Sequence, residues 1–357
     1  MKIKDLCSYA PKSRIKAGEA VDNAKYLFFT SSADENKRYT DFQFDKEAII
    51  MGTGGNATLH YHNGKFSVST DCLVLLPDPQ IKCKYLYYFF KSHMNVLEAG
   101  FKGAGLKHTN KKYIEDIEIN KVPDLITQDR IISRLDKISE NIEKLNRELG
   151  LFDSLVKARF VEMFGNPVNN DKEWIRDSVE RLCKEIYGGG TPSKSHPEYY
   201  EDGEIPWITS KDMKTDILID SQIHINEDGV SNSTARIVPK NSVIMVIRSG
   251  ILKHTLPVAI NAVPITVNQD LKVFIPGNRI VTNFLAYQFK MMEKDILSGV
   301  RAVTADNIEF DALKRRELIV PPIELQQQFS VFVQQVDKSK FLCFHQKIRK
   351  TFQVTRK

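Results

Sequence analysis

The chain is 357 residues long, carries a formal net charge of +6, and is 42% hydrophobic and 27% charged. That length predicts two domains. The composition is that of an ordinary soluble globular protein, and the positive excess is compatible with nucleic acid but far below a histone-like one.

Five scattered cysteines, Cys7, Cys72, Cys83, Cys183 and Cys343, form no CxxC pair, which argues against a disulfide framework and a zinc site. They are expected in a reducing, cytoplasmic compartment. The N-terminus "MKIKDLCSYAPKSRIK" has lysines but no apolar stretch behind them, so no signal peptide is expected. Apolar runs such as "VLLP" and "SVIMVI" fall far short of a membrane span.

In chain order, the first patterned region is "AIIMGTGGNATLHYHNGKFSVSTDCLVLLP" at 48–77, an apolar strand, a glycine turn and a second strand, then Asp71 and "LVLLP". His60 and His62 share one face of that second strand and read as surface polar residues. "YLYYFFKSHMNVLEAGFKGAGLKHTNKKYIEDIEI" and the strand-like "IEINKVP" lead into the clearest element, a helix from Thr127 to Gly165. Its apolar residues Ile131, Leu135, Ile138, Ile142, Leu145, Leu149, Phe152 and Val156 alternate four and three, a heptad seam with charged residues elsewhere. Pro123 precedes it and Asn166-Pro167 follow, while Gly150 sits inside the seam. At about 1.5 Å per residue, roughly 38 residues span about 57 Å. The plainer alternative is a core helix of a larger bundle.

The second half carries "YGGGTPSKSHPEYYEDGEIPWITSKDMK" from Tyr187 to Lys214, then "SVIMVIRSGILKHTLPVAINAVPITVNQDLKVFIP" at 242–276 and "FLAYQFKMMEKDILSGVRAVTADNIEFDALKRREL". It closes on "PPIELQQQFSVFVQQVDKSKFLCFHQKIRK", where Phe329, Val333 and Val336 keep the four-three spacing before the seam degrades. Both helices follow a strand-like run ending in proline, start with glutamines and reach an apolar-Asp-Lys triplet, "LDKI" and "VDKS". The preceding β-rich stretches also align, so the chain is an internal repeat with a period of about 200 residues. The predicted segments are a first globular domain over 1–122, a long helix over 123–165, a second globular domain over 166–320 and a shorter helix over 321–357.

Catalytic motifs are missing from this pattern. Gly188-Gly189-Gly190 run into Pro192 without the offsets, strand and helix of a phosphate loop, and "GTGG" at 52–55 and "GAG" at 103–105 lack them too. "FGNPVNN" at 164–170 reads as a helix-ending turn, and no histidine spacing suggests a metal. The chain is expected not to be an enzyme.

The glycine–Thr-Pro-Ser stretch, "SVIMVIRSG", "ITVNQDL" and "VRAVTADNIEFDALKRRELIVPPIELQ" together resemble the second target-recognition domain of a type I restriction-modification specificity subunit. "LDKISENIEKLNRELGLFDSLVKARFVEMFGNP" looks like that family's central conserved region, and "YLFFTSS…AIIMGTGGNATLHYHNGKFSVSTDCLVL" is similar to another variety of its recognition domain. The resemblance covers residues 1 to about 340. It implies an α/β (α+β) chain of two globular target-recognition domains separated by two long, antiparallel coiled-coil-like helices. It further implies a non-catalytic subunit that binds double-stranded DNA and serves two copies of an adenine methyltransferase (modification) subunit and a restriction/translocase subunit. S-adenosylmethionine, ATP and magnesium would then bind those partners, and this chain would hold no cofactor or metal.

Physics fits such a role, since a split DNA site needs two readers held at a set distance. Readers present small, polar and basic side chains to base edges and phosphates. In the first domain the candidates are Thr30, Ser31 and Ser32; Thr53, Gly54, Gly55 and Asn56; and Lys107, His108 and Thr109, with Lys111 and Lys112 just beyond. In the second they are Gly189, Gly190 and Thr191; Thr209, Ser210, Lys211 and Asp212; Arg248, Ser249, Lys253 and His254; and Arg301. Trp207 reads as core, and the glycines either approach DNA or fold against the sheet. Helix pairing is expected from Ile131, Leu135, Ile138, Ile142, Leu145, Leu149, Phe152, Phe329, Val333 and Val336. The first domain lacks the glycine–Thr-Pro-Ser and "IPWIT" elements, so the two halves are expected to read different sequences. The short last helix leaves open a truncated, assembly-defective or silent variant, or a coiled-coil interaction protein without DNA specificity.

Overall fold

The computed structural model describes residues 1–299 and 307–345 in full, and the backbone alone at 301, 302, 306 and 346–356. The chain forms two compact units, built on residues 1–144 and 145–347.

The first unit holds strands β1 (Cys7–Tyr9), β2 (Tyr26–Phe29), β3 (Arg38–Tyr39), β4 (Phe44–Gly52), β5 (Leu59–Val68) and β6 (Cys72–Pro77). They make one sheet in the order β1-β6-β4-β5-β2-β3, antiparallel except where β2 runs parallel to β5. Side chains alternate across a strand, and β4 shows why its run "AIIM" is apolar throughout. Ile49 and Met51 enter a core with Ile3, Leu6, Leu75, Leu86 and Phe90, whereas Ala48 and Ile50 enter another with Phe29, Phe66, Val68 and Val74. Helices α1 (Cys83–Ser92), α2 (Met94–Ala99) and α3 (Lys111–Glu115) cover the first of these faces.

Helix α4 (Leu125–Phe164) follows. The second unit then runs β7 (Arg176–Ser178), α5 (Val179–Leu182), β8 (Cys183–Gly188), β9 (Ile205–Ile208), β10 (Ile217–Leu218), β11 (His224–Ile225), α6 (Glu227–Ser231), β12 (Val243–Val246), β13 (Val258–Asn261), β14 (Thr266–Val267) and β15 (Leu271–Pro276). It continues through α7 (Thr282–Met291), α8 (Glu293–Ser298), β16 (Arg301–Ala302), β17 (Asp306–Asn307), α9 (Phe310–Arg315) and β18 (Glu317–Ile319) into α10 (Ile323–Arg356). A five-stranded sheet, β10-β13-β12-β15-β8, has β12 at its centre with all four residues buried, which is why "VIMV" shows no alternation. A three-stranded sheet, β11-β9-β14, carries Trp207.

Within the second unit the two long helices pack antiparallel. Phe329 of α10 meets Phe160 and Phe164 of α4, Lys340 reaches Asp153 at 2.6 Å, and the Cys343 thiol donates to Glu148 at 3.1 Å. The pairing thus continues beyond Val336, through polar partners once the apolar seam ends. Helix α10 has 34 residues against 40 in α4. Along α4 the buried stripe continues as Val156, Phe160 and Phe164, a four-residue spacing that drifts off the heptad. Leu145, Phe329, Val333 and Val336 are buried and Ile131, Leu135, Ile138, Leu149 and Phe152 half-buried, but Ile142 is 52% exposed. Ile142 therefore does not close the seam by itself.

The repeat is written into the hydrogen bonds. Buried Gln128 of α4 accepts from the Lys82 N–H at 2.7 Å and donates to the carbonyls of Gln80 and Pro123 at 3.1 and 2.8 Å. Buried Gln326 of α10 accepts from the Val281 N–H at 2.9 Å and donates to the carbonyls of Arg279 and Pro321 at 3.2 and 2.8 Å. Every partner recurs 198 or 199 positions later. In each unit, one glutamine amide locks the start of a long helix to the loop before an earlier helix, α1 in the first unit and α7 in the second.

Candidate nucleic-acid interface

In the first unit three of the predicted segments meet at one end of the sheet. The Ser31 hydroxyl donates to the Asp71 carbonyl at 2.7 Å and accepts from the Thr53 and Gly54 N–H groups at 3.1 and 3.3 Å. The Thr53 hydroxyl shares the Asp71 carbonyl at 2.9 Å. Gly55 N–H donates to the Lys107 carbonyl at 2.8 Å, and Thr109 N–H to the Thr53 carbonyl at 3.0 Å. Gly55 has φ +81°, the left-handed region that suits glycine. These bonds consume backbone groups and short hydroxyls, leaving Asn56, Lys107 and His108 as the exposed side chains of the cluster. Ser32 is half-buried.

Two candidates point the other way. Thr30 is 2% exposed and accepts from the Lys37 ammonium at 3.0 Å, and Thr109 is 9% exposed. Thr30 braces its loop from inside, whereas the Thr109 hydroxyl is buried without a hydrogen-bond partner among the described residues. His60 also departs from the surface reading: it is 4% exposed, bridges the Ser32 carbonyl (3.2 Å) and Glu35 (3.1 Å), and packs on Phe29. His62 packs on the same ring, and burial holds its pKa below the ordinary imidazole value.

In the second unit the glycine stretch folds against the sheet. Gly190 N–H donates to the Val267 carbonyl at 3.0 Å, and the Gly190 carbonyl accepts from the Trp207 indole at 3.0 Å. A Cβ on Gly189 would lie 1.9 Å from the Val267 carbonyl oxygen, and one on Gly190 would lie 2.3 Å from the Ala235 nitrogen. Gly189→Ala is therefore expected to lower the melting temperature of the second unit by an overpacking cost of about 1–3 kcal/mol. Gly18→Ala, with open space around its Cβ, should leave melting unchanged. Trp207 is 6% exposed and packs with Ile225 and Ala235, as core.

The Thr191 hydroxyl bonds to Gln269. Thr209 and Asp212 close a turn: the Asp212 carboxylate accepts from the Thr209 N–H (2.9 Å), its hydroxyl (2.7 Å) and the Gln222 N–H (3.0 Å). Asp212 is thus spent on the loop itself, while Ser210 is half-buried and Lys211 exposed. Arg248 pairs with Asp270 at 2.6 Å, and Asp270 also accepts from Asn268 at 3.2 Å. Ser210, Lys211, Asn268 and Asp270 line one cavity with Lys194 and Trp207. Lys194, Asn268, Gln269 and Asp270 escaped sequence reasoning, although "ITVNQDL" holds three of them. A polar triplet directly after a buried strand was the available signal.

Nearby, Lys272 sits 4.5 Å over the Phe310 ring, and its pKa is held below the usual lysine value by burial and by Lys314 and Arg248. Lys253 and His254 are exposed on a turn that Ser249 caps, but their neighbours Ile251 and Thr255 line a different cavity with Asp216, Lys290 and Glu293. The Arg301 side chain lies outside the described residues.

Among the described residues, no three metal-ligating side chains cluster, and no helix is long and apolar enough to cross a membrane. No disulfide forms among the described residues; burial pushes the Cys72 thiol up to about 11 and those of Cys7 and Cys183 up to about 12.

A duplicated α/β scaffold, each copy ending in a long helix locked by the same glutamine and each presenting its own polar loop cluster, defines a tandem recognition architecture. Residues 1–150 and 179–350 match the type I restriction modification DNA specificity domain, and the chain belongs to that family. Over 313 residues, 82% of this chain and 73% of the relative, it is 28% identical to the specificity subunit of the type I restriction enzyme EcoR124I/EcoR124II of Escherichia coli. It is 33% identical over 174 residues, 46% of this chain and 38% of the relative, to the MjaIX specificity subunit of Methanocaldococcus jannaschii. The crystal structure of the type I restriction-modification S subunit from M. genitalium shares the fold, with a TM-score of 0.59 over 99% of this chain and 92% of that one at 16% identity.

Proposed function

We propose that this chain, a type I specificity subunit, binds a bipartite, asymmetric DNA site, each unit reading one half. The observation that carries this is the pairing of a repeated frame with unlike reading ends. The glutamine-locked frame recurs, and so does the base of each cluster, where Thr30-Ser31 and Thr209-Ser210 follow equivalent strands and the Thr53 and Ile247 N–H groups donate to the Asp71 and Asp270 carbonyls. The side chains set on that base differ: Asn56, Lys107 and His108 in one unit, Lys194, Lys211 and Asn268 in the other. Groups of this kind discriminate base edges in the major groove by donor and acceptor patterns. Two weak readers on one scaffold gain affinity through effective concentration.

The chain performs no catalysis in this account. Two modification subunits and a restriction subunit supply the chemistry, together with S-adenosylmethionine, ATP and magnesium, in the cytoplasm. Exposed apolar residues on the long helices, Leu151, Leu155, Phe341 and Leu342 among them, are the surface that those subunits cover.

The test exchanges Ser210 and Lys211 for alanine in the full chain, co-expressed with a modification subunit of its own system. One half of the methylated motif should lose base preference, each lost contact costing about 1–3 kcal/mol of discrimination, and the other half should stay as it was. A change in both halves, or in neither, contradicts the proposal.

A further inference from the structure

The segment "KSRIK" at 12–16 is absorbed neither by the core nor by the loop clusters. Its exposure alternates: Lys12, Arg14 and Lys16 face solvent, Ser13 is buried and Ile15 half-buried. The inward residues fix it in place. The Ser13 hydroxyl accepts from the Gln43 amide at 2.9 Å, the Ile15 carbonyl accepts from the Thr70 N–H at 2.8 Å, and Ala10 N–H donates to the Val74 carbonyl at 3.0 Å. Three outward positions are cationic in succession, and none makes an ion pair among the described residues. Lys2, Lys82 and Lys84 of the same unit do pair, with Asp116, Asp129 and Asp136. Ser13 and Ile15 thus fix the side of the segment on which the three cations stand.

Their position gives them a use. Thr70, which holds Ile15, directly precedes Asp71, whose carbonyl gathers Ser31 and Thr53. Lys12, Thr53, Thr70 and Lys111 line one cavity. The segment therefore abuts the first unit's loop cluster. Two residues of extended chain advance about 6.6 Å, while duplex DNA offers a phosphate about every 3.4 Å of axis on each strand. Outward cations at every second residue thus fall near every second phosphate of a strand.

We propose that Lys12, Arg14 and Lys16 form a phosphate rail that seats duplex DNA against the first unit's reading loops. This rests on the DNA-recognition reading above and adds residues that position the duplex without reading its sequence.

The experiment compares the wild-type full chain, assembled with its modification subunit, with the variant Lys12→Gln, Arg14→Gln, Lys16→Gln, on mixed-sequence duplex DNA across a salt series. Loss of three phosphate contacts should make the slope of log affinity on log salt shallower by about 2.7. The methylated motif should keep its bases, and Arg14→Lys should behave as wild type. An unchanged slope in a variant with wild-type melting overturns the rail, and an altered motif overturns it too, because the residues would then read bases. Absence of DNA binding by the wild-type assembly would sink the recognition reading itself, and the rail with it.

Discussion

Truncating Phe329 to alanine will destabilise the second unit by about 3–5 kcal/mol. Phe329 is fully buried where α4, α7 and α10 meet, edge-on to Phe160 (5.5 Å), Phe164 (5.6 Å) and Tyr287 (5.5 Å). Removing the ring forfeits its transfer from water and three perpendicular aromatic contacts, each worth about 0.5–1.5 kcal/mol beyond area. The surrounding rings are themselves wedged: Phe160 stacks on Phe284 at 5.5 Å, so the void has little freedom to collapse. Denaturant unfolding of the full chain measures the loss. Phe341→Ala on the same helix, 59% exposed, should stay within about 0.5 kcal/mol of wild type. A Phe329 cost no larger than the Phe341 cost would contradict the packing described.

The second large effect falls on the glutamine locks. Gln326→Leu strands one N–H and two carbonyls, that of Pro321 buried and the other two groups partly so, and unsatisfied groups cost about 1–3 kcal/mol each, less when water reaches them. Because Gln128 makes the same three bonds, Gln128→Leu should cost the first unit a similar amount. Gln326→Glu separates hydrogen bonding from shape. The glutamate keeps an acceptor for the Val281 N–H but sets a second oxygen against the carbonyls of Arg279 and Pro321. Burial and those dipoles raise its folded pKa above the unfolded value. A raised folded pKa means that the folded state binds more protons, so this variant gains stability relative to wild type at acid pH and loses it as pH rises through the folded pKa. Equal stability of Gln326→Glu and wild type at neutral pH would contradict the lock.

Much of the frame was legible because repetition is visible without geometry. The glutamine-rich helix starts, the proline-ended strands before them and the Asp-Lys triplets all announced two copies, and Gln128 and Gln326 show the physical reason. The heptad spacing gave the long helix, yet it missed Phe160 and Phe164, since these follow Val156 in successive steps of four and so leave the seven-residue repeat where the helix packs on the second unit's core. The site was less legible. Thr30, Thr109 and Asp212 belong to residue types that cap turns and contact bases equally well, and only their tertiary partners decide between those uses. His60 looked superficial because an alternating strand hides which face has a second core over it, and here both faces of the sheet do. Gly189 and Gly190 were ambiguous until the Val267 carbonyl and the Ala235 nitrogen were seen beside them.

The most direct test of the central claim is a single-molecule adenine-methylation map of DNA from cells that co-express the chain with a modification subunit of its system. An asymmetric split motif, lost when the chain is omitted, is the predicted result, with one half assignable to each unit. A motif that is a single half-site or its inverted repeat, or methylation that persists without the chain, would contradict the account of two unlike readers on one scaffold.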